Sequence, residues 1–153
     1  MADVKRIVKE MEQLKSSKLI TIKKAERIDN NDLEWKIVFD GPEETPYEDG
    51  IFTLKLKFKD KYPEEGPEAL FITKMFHPNI RELDQHVCIN ILNFWNKNTT
   101  VEFILLGIFE IMMDPSAEGG YPENEATKVL KENNDEYFDK VEEYVYNYAQ
   151  KEC

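Results

Sequence analysis

Between residues 33 and 58 the chain repeats with a period of two. "LEWKIVF" (33–39) sets Leu33, Trp35, Ile37 and Phe39 against Glu34, Lys36 and Val38, and "IFTLKLKF" (51–58) sets Phe52, Leu54, Leu56 and Phe58 against Thr53, Lys55 and Lys57. Side chains of a strand point alternately to its two faces, so both stretches demand a sheet with one apolar and one wet face. Two further stretches, "LITIKKAE" (19–26) and "ALFIT" (69–73), have strand composition. The separators "IDNND", "DGPEETPYEDG" and "KDKYPEEGPE" are rich in turn-forming residues. Sequential strands with short connections predict an antiparallel meander.

An apolar sheet face must be covered. Residues 3 to 15 place Val4, Ile7, Val8, Met11 and Leu14 on one stripe, which predicts an amphipathic helix. "TTVEFILLGIFEIMM" (99–113) is apolar nearly all round and predicts a central buried helix, with Thr99 and Glu102 spaced as a capping box. "DPSAEGGYP" (114–122) breaks it, and residues 123–132 and 135–151 read as two more helices. The last carries Tyr137, Phe138, Val141, Tyr144, Val145 and Tyr148 along one side as packing surface. The fold class is α+β in one domain, 1–153: an N-terminal helix, a four-stranded antiparallel meander, a long loop, a buried helix and two C-terminal helices.

Composition narrows the function classes. A net charge of -11 leaves no phosphate-neutralising excess, so nucleic acid is not an expected partner. No apolar run reaches about 18 residues, so no membrane span is expected. With Cys88 and Cys153 alone, a disulfide framework is not expected, and a reducing cytoplasmic or nuclear compartment is. Lys5, Arg6 and Lys9 lie on the first helix of this acidic chain, as a solvated face or as a steering surface for an acidic partner.

"FHPNIRELDQHVCINIL" (76–92) holds both histidines and one of the two cysteines. It lies in a loop, 74–95, too long to be a mere connection. Two readings of its residues stay open: a nucleophilic thiol in a prepared site, or a buried cysteine at a strand end with two loop histidines. On the first, His77-Pro78-Asn79 is a rigid turn presenting an amide donor. A thioester is a high-energy acyl donor whose tetrahedral intermediate needs an oxyanion donor more than a strong base.

The ordered combination G-P-x-x-T-P-Y-x-x-G-x-F from Gly41, the Y-P-x-x-x-P turn from Tyr62, HPN at 77–79 and "VCINIL" at 87–92 followed by Trp95 resembles the ubiquitin-conjugating enzyme family, and the resemblance extends over essentially the whole chain. It implies that fold and a thioester transferase. Cys88 would accept ubiquitin or a ubiquitin-like modifier from an activating enzyme. Asn79 would stabilise the oxyanion, and His77 and Pro78 would hold the loop. Asn90, Gly119 and the neighbouring Glu118 would flank the thiol. Lys5, Arg6 and Lys9 would meet the activating enzyme and ligases, with Glu64 and Lys97 at further ligase contacts. No bound cofactor is implied, since ATP is used by the activating enzyme, no metal is implied, and a monomer is expected.

The chain departs from the family pattern in places. The HPN-to-Cys spacing is one residue longer than in most members, and Cys88 to Trp95 is one shorter. Asn90 stands where many members carry Asp, and Gly119 where an acidic, Ser or His side chain is usual. Glu64 replaces an apolar contact, and "NKN" (96–98) a Pro-containing loop. "KSSKL" and "EEYVYNYAQK" resemble the subgroup serving ligases that have their own cysteine, whereas "VCINIL" also resembles members loaded with other modifiers. The alternatives are a cysteine hydrolase using His77 or His86, and a non-catalytic binding module of the same fold. A metal site at His77, His86 and Cys88 lacks a fourth ligand.

Overall fold

The period-two stretches pair as the alternation requires. In the computed structural model, which describes residues 1–150, β1 (Lys24–Ile28), β2 (Asn31–Asp40), β3 (Ile51–Lys57) and β4 (Glu68–Phe71) form one antiparallel sheet in the order β1-β2-β3-β4. Trp35 lies opposite Leu56, Ile37 opposite Leu54 and Phe39 opposite Phe52, while Leu54 and Leu56 face Phe71 and Ala69. All eight are buried, so the register places every inward residue in one layer. Each large side chain there contributes about 1.5–3 kcal/mol of transfer free energy.

Helix α1 (Val4–Lys15) packs across β1 and β2 and against α3 (Val101–Met113). Its stripe seats Ile7 and Leu14 in the core, and Asp3 caps its start through the Arg6 N–H at 3.1 Å. The first strand begins later than expected, at Lys24 instead of residue 19. The Ser17 hydroxyl accepts from the N–H groups of Leu19 and Ile20, which removes those donors from any ladder.

Helix α3 differs from expectation at both its start and its surface. Its N-cap is Thr100, without a side-chain cap, and no Thr99–Glu102 box forms. The cap comes from another helix: Glu10 Oε1 accepts from Val101 N at 2.9 Å. Glu10 is buried, and its other oxygen accepts from the Tyr62 hydroxyl and from Arg6 Nε. Only one face of α3 is central, through Val101, Ile104, Leu105, Ile108 and Met112. Phe103 remains 50% exposed, because the opposite apolar face lines a surface groove.

Helix α4 (Glu125–Glu132) starts two residues late, since the Asn124 side chain turns into the long loop; Glu82 Oε1 accepts from Glu125 N at 2.7 Å instead. Helix α5 (Asn134–Tyr148) is capped by Asn133. It buries Tyr137, Val141 and Val145 but leaves Phe138 and Tyr148 partly exposed. Residue 151, the end of the expected last helix, and Cys153 lie outside the described residues. A four-residue helix, α2 (Asn90–Asn93), interrupts the long loop and was not expected.

Candidate active site

The loop is held on the free edge of β4. Phe71 N donates to Gln85 O at 3.0 Å and Val87 N to Ala69 O at 2.9 Å, so residues 85–87 run along that edge. The returning chain also zips onto the HPN turn: Arg81 N donates to His86 O at 2.9 Å, and Cys88 N to Asn79 O at 2.8 Å. Val87 alternates inward, which leaves Cys88 half-buried on the outer side as the first residue beyond the zipper.

His77 holds the turn from inside. It is 1% exposed, its Nε2 lies 2.6 Å from Ile111 O, and its Nδ1 accepts from Asn79 N at 2.9 Å. These partners assign the proton to Nε2 and leave Nδ1 as acceptor. Burial pulls the imidazole pKa down to about 4, against the opposing hydrogen bond to Ile111 O, so the ring is neutral near pH 7. Both nitrogens are spent on backbone groups, which leaves none for a thiol or a metal ion. His86 does not line the groove around Cys88.

A second clamp, Asn124, gave no sequence signal beyond its place before a helix. Its buried amide donates to Ile80 O at 2.6 Å and His77 O at 3.1 Å, while its oxygen accepts from Glu82 N at 3.0 Å. Tyr121 N donates to Pro78 O at 2.9 Å, and Gly120 passes so close that a Cβ there would lie 2.7 Å from Pro78 Cβ. The HPN turn is thus over-determined from α3, from the 119–121 turn and from the start of α4.

Around the thiol stand amides. Asn79 Nδ2 donates to Cys88 O at 2.9 Å, and Asn93 Nδ2 donates to Cys88 Sγ at 3.3 Å. Asn90 and Asn93 are exposed, and both line a groove of about 470 Å³ with Cys88 and Asn79. The outer face of α3 lines it with Phe103, Leu106, Gly107 and Glu110, and Glu118 and Gly119 line it too. Gly119 has φ +77°, and among the described residues beyond its chain neighbours none comes within 4 Å of where its Cβ would be. An open groove of mixed apolar and polar lining suits an extended peptide, and amide donors around a thiol suit an acyl group already activated.

The expected partner-facing residues divide. Lys5 and Lys9 are exposed on α1, but Arg6 turns inward to Glu10 and donates to Thr99 O at 2.7 Å. Lys97 and Glu64 approach to 3.9 Å with both side chains largely exposed, a pair worth about 0–1 kcal/mol. Trp95 Nε1 donates to Pro63 O at 2.8 Å and Asp3 N to Tyr62 O at 3.1 Å, so the loops carrying Glu64 and Lys97 are tied to each other and to α1. Glu10, like Asn93 and Asn124, is not among the residues the sequence singles out, although a carboxylate between Ile7 and Leu14 on an apolar stripe is a sign of it.

Comparison with known proteins agrees with this geometry. The family model described as ubiquitin-conjugating enzyme matches residues 6–145. Ubiquitin-conjugating enzyme E2 3 of Arabidopsis thaliana is 36% identical over 143 residues, covering 92% of this chain and 93% of the relative. Ubiquitin-conjugating enzyme E2 2 of Trichoderma harzianum is 38% identical over 123 residues, covering 79% and 80%. The solved E2 domain of a Toxoplasma gondii ubiquitin conjugating enzyme superposes with a TM-score of 0.85 at 27% identity, over 95% of this chain and 99% of that one. With the sheet, the HPN turn and the groove in place, the chain belongs to the ubiquitin-conjugating enzyme family, a family of transferases.

Proposed function

We propose that Cys88 is the residue on which the modifier is carried, as a thioester received from an activating enzyme and passed to a ligase cysteine or a substrate lysine. The observation that carries this reading is the half-buried thiol in an open groove with two amide donors and no imidazole in reach. In loading, the Cys88 thiolate attacks the thioester carbonyl carbon, and the activating enzyme's sulfur leaves with the electron pair. The thiol proton goes to solvent. Such exchange between thioesters needs no strong base, since a few per cent of an ordinary thiol is thiolate at neutral pH. The groove would hold the modifier's extended C-terminal tail. Lys5 and Lys9 would meet the activating enzyme and the ligase, and a reducing compartment would keep the thiol free.

The test is charging of the purified chain with each activating enzyme and its modifier, resolved without reducing agent. The expected result is a thiol-labile adduct, replaced by a stable ester in Cys88→Ser and kept in Cys153→Ser. A thioester on Cys88→Ala refutes the assignment. The same assay across modifiers tells ubiquitin from its relatives.

A further inference from the structure

We propose that Asn93 is a second catalytic amide, the hydrogen-bond donor that holds the Cys88 sulfur and receives the charge returning to it when the thioester breaks. The proposal rests on the assignment of Cys88 above. Asn93 lies five positions after the cysteine, and only α2 brings it back. The turn is held by Leu92 N and Asn93 N, which both donate to Ile89 O, and by Phe94 N, which donates to Asn90 O at 2.9 Å. Its Nδ2 then stands 3.3 Å from Sγ, within the range of hydrogen bonds to sulfur.

The two amides beside Cys88 have different targets. One N–H of the Asn79 amide donates to the Cys88 carbonyl at 2.9 Å, whereas the Asn93 amide donates to the sulfur. An N–H donor bonds more strongly to a sulfur that carries charge than to a neutral one. In discharge, the acceptor's nucleophile adds to the thioester carbonyl carbon and its proton passes to solvent. The C–S bond then breaks, the electron pair moves to Sγ, and the acyl group stays on the acceptor. At that moment the sulfur gains the charge for which the Asn93 N–H is already aligned, which makes Asn93 a leaving-group stabiliser.

The experiment measures the rate of Cys88 alkylation by iodoacetamide at pH 7 on the full chain in a Cys153→Ser background. Asn93 is exposed, so its replacement leaves the core intact, which thermal denaturation checks. Asn93→Ala is expected to slow alkylation several-fold, about 3-fold or more, because the thiolate is the nucleophile. Asn93→Asp, the same shape with a negative charge, is expected to slow it further. Single-turnover discharge to free cysteine should fall about tenfold in Asn93→Ala. An unchanged alkylation rate in Asn93→Ala overturns the proposal even if charging is normal. Slowed alkylation in a chain that no activating enzyme charges supports the contact to sulfur while refuting the assigned function, so the two failures are separable.

Discussion

Acidification from pH 7 to pH 5 is expected to cost this protein about 2 kcal/mol of folding stability through His77 alone. The ring is 1% exposed, and burial lowers its pKa from 6.5 to about 4. As pH falls through 6.5 the unfolded imidazole takes up a proton, but the folded one does not until about pH 4. Between those values the unfolded state binds more protons, so stability falls with pH; above 6.5 the contribution is fully present, and below 4 the loss is complete. The whole gap is worth about 3 kcal/mol, of which about 2 is spent by pH 5. Against a typical 5–15 kcal/mol this is easily measured. Protonation would also put a hydrogen on Nδ1, which now accepts from Asn79 N, so the HPN turn would be disturbed with the fold. Urea unfolding followed by Trp fluorescence, with Trp35 in the core, measures the drop between pH 7 and pH 5. Asp84, held down to about 2 by its hydrogen bond with Arg81, loses its contribution only below pH 4 and stays out of this window. His77→Gln is expected to be less stable at pH 7, by about 1–3 kcal/mol for backbone partners left unpaired, but to lose less between pH 7 and pH 5. An equal drop in both proteins would refute the reasoning.

Glu10→Ala strands the Tyr62 hydroxyl, the Val101 N–H and the Arg6 guanidinium, and should cost about 3–5 kcal/mol in urea unfolding. The Asn79 amide has two N–H groups, one of them on Cys88 O, so Asn79→Ala should slow discharge about 10²–10³-fold under single-turnover conditions while slowing loading less, and unchanged discharge would remove Asn79 from the chemistry. Gly120→Ala drives a Cβ into Pro78 and should lower both the melting temperature and Cys88 loading, whereas Gly119→Ala meets no atom and should cost only about 1 kcal/mol for its positive φ. The loaded protein should discharge to free cysteine faster than to free lysine near pH 7, because an ammonium of pKa ~10.4 finds no flanking acid at Asn90 or Gly119 whereas a thiol of ~8.5 needs little help; fast lysine discharge abolished by Glu118→Ala or Glu110→Ala would show that a groove carboxylate fills that place.

What the sequence made legible was what repeats or clusters. The alternation at 33–39 and 51–58 placed the sheet face, and the observed register keeps to it because a slip by one residue would turn Trp35, Ile37 and Phe39 to water. The HPN turn and Cys88 were legible because rare residue types crowd one loop, and the structure brings them together as expected. The start of β1 was not, because the strand composition of residues 19–23 competes with a single hydroxyl, that of Ser17. The cap of α3 was misplaced for a similar reason. Thr99 and Glu102 satisfy a local pattern, but the Val101 N–H bonds to Glu10, 91 positions away. Asn93 and Asn124 escaped notice because their partners are fixed only when α2 and α4 return the chain to the loop.

Helix α3 explains how a shallow site can coexist with a stable core. An all-round apolar helix predicts complete burial, yet α3 buries Ile104, Leu105, Ile108 and Met112 while Phe103 and Leu106 line the groove. Its Ile111 carbonyl also meets His77 Nε2, so the helix that floors the groove braces the HPN turn from below. The turn in turn positions Asn79, whose backbone and side chain both bond to Cys88. Core packing and site geometry therefore share α3. A substitution that shifted it would move the floor of the groove, the His77 brace and, through Asn79, the carbonyl of Cys88 together, whereas the Asn93 contact, set by α2, would respond less directly.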